Sequence, residues 1–299
     1  MYDLINGVQR EHQLTLLVQI TDTHILSRGE LLYGTVDTAA HLREAVVEIN
    51  AMDPQPDLVM ITGDHVEKPS DATYSHFDEL IAPLKAPVFL IPGNHDDPDV
   101  MWKHFGGTSM FPGKPPCYQY VIDDYDFRIL ALNSHLDDTE LPSFGEQRLC
   151  WLEQELAKSD RPTLIAIHHP PMKTGVYFID MAGEEWYRGI KDVLARNPQV
   201  QLIICGHGHM ELIGRVGNVP IYMSGSTAHQ LIAGRVVDRA PAFDPSRVAP
   251  VLHQWLGDVF ASGDNPWPAW VEEERIDKSA GVDWAELKDH MLGSLKPRP

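Results

Sequence analysis

The chain has 299 residues, 43% of them hydrophobic, and a formal net charge of -19 at pH 7. A chain of this length and composition buries a full core, most simply as one large domain, and its acidity argues against a nucleic-acid polymer held by a broad basic patch. The opening residues MYDLINGVQREHQ lack a basic start followed by an apolar stretch, and no apolar run approaches the length of a membrane span, so neither a targeting peptide nor a membrane anchor is expected.

Short runs rich in Val, Ile and Leu predict buried strands over 14–20, 57–63, 87–93, 127–133, 163–169 and 201–207. Helical patterns fall between them, over 36–52 and 70–84, with Asp or Ser available as caps, and over 144–159, where Leu149, Leu152 and Leu156 share one face. Beyond 207 the alternation gives way to short β-like pieces over 215–225 and 249–263, a tryptophan-containing stretch over 264–279, and a terminal helix over 282–295. The alternation predicts an α/β layered fold with ligands at the carboxyl ends of the strands. A catalytic domain is expected over 1–260 and a C-terminal arm and helix over 261–299, suited to packing or to contact in a homo-oligomer. Trp255, Trp267 and Trp270 are assigned with equal weight to an interface or lid and to ordinary packing of that extension. Cys117, Cys150 and Cys205 are odd in number and outside metal-like spacing, which fits a reducing cytoplasm, the expected location, better than a disulfide framework.

Five of the predicted strands end in residues of metal-ligand type: Asp22 and His24, Asp64, Asn94 and His95, His168 and His169, and His207 and His209. One buried carboxylate or imidazole has an ordinary structural explanation, but convergence of all five clusters is costly without a compensating cation. Carboxylate, imidazole and amide oxygen without thiolate suit Mn, Fe or Zn. Gly63, Gly93, Gly206 and Gly208 beside these residues are expected to give the tight turns that aim the side chains into one pocket.

The ordered segments DTH, GD, GNHD, HHPP and GHGH, over 22–209, resemble the calcineurin-like metallophosphoesterase superfamily. LLYGTVDTAAHLREAV and STAHQ resemble its bacterial class III cyclic nucleotide phosphodiesterases and their glycerophosphodiester-cleaving relatives. The resemblance implies a four-layer α/β/β/α sandwich with a C-terminal extension. It implies two ions, one held by Asp22, His24, Asp64 and His209 and the other by Asp64, Asn94, His168 and His207. Asp64 then bridges, each of its oxygens taking one ion. Two divalent ions against two aspartates and a hydroxide leave about +1, enough to attract a phosphate anion to an acidic protein. His95 resembles the family's catalytic histidine, stabilising charge on the phosphoryl oxygens or protonating the leaving alkoxide. Asp96 is expected to orient His95 or a nearby loop.

The function implied is a dinuclear-metal phosphodiesterase acting on a small phosphodiester, with 3',5'-cyclic AMP as first candidate. The alternatives are a glycerophosphodiesterase or broad phosphoesterase, and a non-catalytic scaffold of the same fold. His169 is expected to position rather than bind. His65 replaces an aliphatic residue, as an outer partner or a packing change, and His135 and His229 lie nearer the pocket mouth. His12, His41, His76, His104, His253 and His290 are assigned to solvated or packed positions. The pocket walls are expected from loops 97–116, 134–145 and 172–186.

Overall fold

The computed structural model of the chain describes residues 15–232 and 242–264. The first half runs β1 (Leu16–Ile20), α1 (Thr38–Ala51), β2 (Leu58–Ile61), α2 (Asp71–Ile81), β3 (Val88–Leu90) and α3 (Pro98–Phe105). The second runs β4 (Tyr120–Ile122), β5 (Arg128–Ala131), α4 (Glu146–Leu156), β6 (Thr163–Ala166), α5 (Tyr177–Asp180), α6 (Glu185–Leu194), β7 (Val200–Cys205), β8 (Leu212–Val216) and β9 (Val219–Met223). A short pair follows, β10 (Gln230–Ile232) and β11 (Ala242–Asp244), then β12 (Val251–Trp255) and β13 (Phe260–Gly263).

Besides the two-stranded sheet of β10 and β11, two larger sheets result, ordered β13-β12-β1-β2-β3 and β4-β5-β6-β7-β9-β8. Within them β1, β2 and β3 are parallel, as are β5, β6 and β7. Alternation along the second sheet shows how the layers stack. Ile129, Ala131, Leu164, Ala166, Leu202 and Ile204 face a core shared with the first sheet and with α1 to α3. Their neighbours Leu130, Ile165, Ile203 and Cys205 face α4 and α6 instead. Each such fully buried Leu or Ile contributes about 1.5–3 kcal/mol through removal of apolar surface from water. The architecture is the expected helix, sheet, sheet, helix sandwich.

The helices start where the sequence offers caps. Asp37 accepts from the Ala40 amide at α1, and Ser70 and Thr73 form a reciprocal capping box at α2. The segment expected as a wall loop over 97–116 instead contains α3, capped by Asp97 with Pro98 in its first turn, and it buries Met101 and Phe105. The loop expected over 172–186 likewise contains α5. Among the described residues no helix is long and apolar enough to cross a membrane. The predicted stretch over 264–279, apart from its first residue, and the helix over 282–295 lie outside the described residues, as do His12, His290, Trp267 and Trp270.

The C-terminal β-pieces are not peripheral. β12 pairs antiparallel with β1, Leu16 opposite Gln254, and Trp255 is a core side chain at 4% exposure. His253, assigned by sequence to a peripheral piece, is fully buried between the sheets. Its Nε2 donates to Gln19 Oε1 at 3.0 Å, and its Nδ1 accepts from Ser262 Oγ at 2.8 Å. Gln19 in turn donates to Thr62 Oγ1 and to the Cys205 carbonyl, tying β1 to the segment after β2 in its own sheet and to β7 of the other. Burial pushes the His253 pKa down from 6.5 to about 3, so the unfolded chain takes up a proton that the folded chain refuses. The stability due to neutral His253 is therefore complete above pH 6.5 and lost as the pH falls towards 3. Between pH 7.5 and pH 5, wild type is expected to lose ~2 kcal/mol more unfolding free energy than His253→Gln. Urea titrations of both proteins at the two pH values check this.

Candidate functional site

The ligand-type residues follow the carboxyl ends of parallel strands: Asp22 and His24 after β1, Asp64 after β2, Asn94 and His95 after β3, His168 and His169 after β6, and His207 and His209 after β7. Facing sheets with these ends at one edge bring both sets together. Asp22, His24, Asp64, His207 and His209 all have left-handed backbone, with φ between 43° and 69°. Such conformations cost ~1–3 kcal/mol each for residues other than glycine and concentrate at functional sites.

Two clusters form. In one, His24 Nε2 lies 3.1 Å from His209 Nε2 and 3.7 Å from Asp64 Oδ2, and His209 Nε2 lies 3.2 Å from Asp22 Oδ1. In the other, Asn94 Oδ1 lies 3.0 Å from His168 Nε2 and 2.9 Å from His207 Nδ1, with Asp64 Oδ2 3.3 Å from His168 Nε2. Outer partners fix which atoms point inward. His24 Nδ1 donates to Glu67, His209 Nδ1 to the His229 carbonyl and His168 Nδ1 to the Thr62 carbonyl. The neutral rings then present lone pairs at Nε2, while Asn94 donates its amide to Glu140 and turns its oxygen inward. Lone pairs converging at these distances suit cations, and the donor set fits the dinuclear metal centre of this fold family.

Asp64 stands between the clusters: its Oδ2 lies 3.7 Å from His24 Nε2 and 3.3 Å from His168 Nε2, and its Oδ1 accepts the His95 amide at 2.9 Å. Of the four glycines beside the ligands, Gly63 has a positive φ, and the Gly208 amide donates to the Gly206 carbonyl at 2.8 Å in a tight turn. At Gly93 the need is for space, since an added Cβ would lie 2.1 Å from Asp64 Oδ1. Gly93→Ala is expected to displace Asp64, costing about 1–3 kcal/mol in the apo-protein and lowering bound metal. Thermal melts and elemental analysis of the purified variant check both.

Electrostatics favour the ligand forms of Asp22, Asp64 and His207, but not of His168. Burial would push the Asp22 and Asp64 carboxyls up, but His209 beside Asp22 and His168 beside Asp64 hold both below the usual range. Burial pulls His168 down, yet Asp64 and Asp22 raise it to about 9, so it holds a proton that a cation displaces. His207 is lowered to about 3 by burial and by His168, and stays neutral.

The remaining histidines separate by their contacts. His95 is 27% exposed at the side chain and lies 3.5 Å from both Glu67 and Glu140, its ring 4.7 Å from that of His24. Asp96 accepts from the Gly93 amide, His65 Nδ1 and Tyr74 Oη, so it braces the loop carrying Asn94 rather than the His95 ring. His65 is thereby a buried partner of Asp96. Both ring nitrogens of His169 meet protein atoms, Ser134 Oγ at 2.8 Å and the Glu140 carbonyl at 3.3 Å, and His135 Nδ1 faces the Gly93 carbonyl at 3.1 Å. His229 packs against His209, with ring centroids 4.4 Å apart. Sequence reasoning missed Glu67 and Glu140. Glu67, three residues after Asp64, was open to discovery as an acid on a ligand-bearing loop, whereas nothing local marks Glu140.

Beside His207 and His169 a cleft opens between Pro142, Met172, Lys173 and Trp186, so the segments over 134–145 and 172–186 wall it as expected. α3 is absent from this lining.

Residues 15–211 match the family model of the calcineurin-like phosphoesterases. A probable glycerophosphodiester phosphodiesterase, GpdQ, of Arcobacter nitrofigilis is 32% identical over 87% of this chain and 99% of its own length. The 3',5'-cyclic adenosine monophosphate phosphodiesterase CpdA of Escherichia coli is 33% identical over 66% of this chain and 70% of its own. A dimetal phosphatase from Danio rerio shares the fold at a TM-score of 0.60 and 16% identity, covering 84% of this chain and 99% of that one. Agreement of the matched segment with the strands that carry the converging donors places this chain in the calcineurin-like phosphoesterase family, as a metal-dependent hydrolase of phosphodiesters.

Proposed function

We propose that the chain cleaves a small glycerophosphodiester at a two-metal centre, with Asp22, His24, Asp64 and His209 holding one ion and Asp64, Asn94, His168 and His207 the other. The observation behind this reading is the convergence of ring nitrogens, Asn94 Oδ1 and Asp64 Oδ2 whose outer hydrogen bonds leave their lone pairs facing inward. Nitrogen and oxygen donors without thiolate favour Mn, Fe or Zn. When bound, the ions supply positive charge for the phosphoryl oxygens and lower the pKa of the attacking water.

The chain's own residues do the rest. The His95 amide grips Asp64 Oδ1, which fixes the loop and leaves the ring at the open side of the site. Burial pulls the His95 pKa down, but Asp64, Glu67 and Glu140 together raise it above the usual range. A protonated His95 stabilises the phosphoryl oxygens or hands a proton to the departing alkoxide. Glu67 spans His24 and His95 and holds both rings in place.

Likeness over nearly all of the glycerophosphodiesterase supports that substrate class over the cyclic nucleotide, which the sequence alone ranked first. Cleavage of 3',5'-cyclic AMP is the second reading, favoured by the shorter match of similar identity. The test is kcat/KM of Mn-loaded enzyme on glycerophosphoglycerol, 3',5'-cyclic AMP, bis(p-nitrophenyl) phosphate and p-nitrophenyl phosphate. The glycerophosphodiester is expected to lead. A lead for cyclic AMP selects the second reading, and a lead for the monoester sinks both. Purified protein that binds no transition metal returns the chain to a binding scaffold.

A further inference from the structure

Glu140 stands at the open side of the candidate site, on a loop that is held at its base. Arg148 Nη1 donates to the His135 and Ser143 carbonyls at 2.7 and 2.9 Å, and the Ser143 amide donates to the Ser134 carbonyl at 2.9 Å. His169 Nε2 donates to the carbonyl of Glu140 itself at 3.3 Å, while its Nδ1 accepts from Ser134 Oγ. The backbone of Glu140 is thereby fixed, and its carboxylate, 69% exposed at the side chain, turns back over the ligand loop. It accepts from the Asn94 side-chain amide and lies 3.5 Å from His95 Nε2.

This contact limits how much negative charge the site can take beside His95. With an ordinary hydrogen-bond length of about 3 Å, any substrate oxygen bonded to His95 Nε2 lies within about 6.5 Å of the Glu140 carboxylate. The other nitrogen of the same ring, Nδ1, lies 3.5 Å from Glu67. One imidazole therefore stands between two carboxylates, whose ion pairs among the described residues are with histidines alone, never with Lys or Arg. The rim at His95 stays net negative even when the ring is protonated. A diester phosphate brings one negative charge to that rim, whereas a monoester at neutral pH brings nearly two. At this range the second charge is repelled by about tenfold in binding, after allowance for screening of an exposed carboxylate.

We propose that Glu140 sets the preference for phosphodiesters over phosphomonoesters: its charge keeps a doubly charged phosphate away from His95, while the same side chain holds Asn94. Selection is then by charge rather than by size. The inference rests on the phosphodiesterase reading above.

The test measures kcat/KM for methyl p-nitrophenyl phosphate, a singly charged diester, and for p-nitrophenyl phosphate, which lacks the methyl group and carries the second charge. Glu140→Gln keeps an acceptor for Asn94 and removes the charge, and Glu140→Asp keeps the charge. Wild type is expected to favour the diester. Glu140→Gln is expected to raise the monoester-to-diester ratio about tenfold, chiefly through KM for the monoester, and Glu140→Asp to stay within about threefold of wild type. Higher ionic strength is expected to raise the ratio in wild type and to leave it unchanged in Glu140→Gln. The ratio cancels any loss of metal common to both substrates, which elemental analysis registers separately. An unchanged ratio in Glu140→Gln, with the diester still cleaved, overturns the inference, reduces Glu140 to a brace for Asn94 and leaves the phosphodiesterase reading standing. A ratio raised equally by Gln and Asp assigns the effect to shape and overturns it too. A wild-type lead for the monoester overturns both readings. Should wild type cleave neither ester, the phosphodiesterase reading fails, and calorimetric titration of Mn-loaded protein with inorganic phosphate and with dimethyl phosphate decides Glu140 alone. Phosphate binding tightened about tenfold relative to dimethyl phosphate in Glu140→Gln supports the charge filter, and unchanged relative affinity removes it.

Discussion

Replacing Asp64 with alanine is expected to lower kcat/KM for an aryl phosphodiester by about 10³-fold or more, equivalent to ~4 kcal/mol of transition-state stabilisation. Asp64 Oδ2 lies between the two histidine clusters, 3.7 Å from His24 and 3.3 Å from His168. Its loss removes a donor and a negative charge from both at once. Elemental analysis should show bound metal falling from about two ions to less than one per chain. The fold should survive, because the interaction lost elsewhere is a single hydrogen bond from the His95 amide to Oδ1, a net of ~1 kcal/mol. Asp64→Asn keeps the shape and an acceptor but not the charge, and should fall between the two. A folded Asp64→Ala protein with wild-type rates sinks the assignment of a shared ligand.

His95→Ala is expected to cost about 10²- to 10⁴-fold in kcat with metal content unchanged, since its side chain stands outside both converging donor sets. The dependence on leaving group separates its two roles. A general acid matters most when an alkoxide departs, so a deficit much larger for an alkyl than for a p-nitrophenyl diester identifies proton transfer. Equal deficits identify charge stabilisation on the phosphoryl oxygens. Rates within about threefold of wild type on both substrates remove His95 from the mechanism.

The ligand-bearing strand ends were legible because their signals are local. Each apolar run is followed within a few residues by Asp, Asn or His, and buried parallel strands place those residues at one edge. Pairing across the chain was not legible. The run containing His253 and Trp255 has the same short apolar character as an edge hairpin, and only its register with β1 shows that it is interior. α3 was hidden by the density of Pro, Gly and Lys after it, although Asp97 and Pro98 form an ordinary helix start. Asp64 was read as a bridge, but the sequence could not reveal that one of its oxygens also accepts the neighbouring His95 amide. Glu140 comes from a different loop than the Asn94 and His95 it meets, so their meeting depends on tertiary geometry that no spacing encodes.

The pairing of β12 with β1 also sets an order of events during synthesis. β1 is among the first parts of this sheet to leave the ribosome, and β2 covers only one of its edges. The partner for the other edge, Val251 to Gln254 opposite Gln19 to Leu16, emerges after every candidate metal ligand has been made. At ordinary elongation rates that wait is on the order of ten seconds or more. Throughout it the nascent chain carries an unpaired edge of Leu, Leu, Val, Gln and Ile, the kind of surface that pairs with other chains. A metal supply that stabilises the early half during translation, or a chaperone that shields that edge, therefore bears on yield more than on the activity of the finished enzyme. Chains stalled before residue 251 are expected to aggregate more than full-length chains, as sedimentation of the two translation products would check.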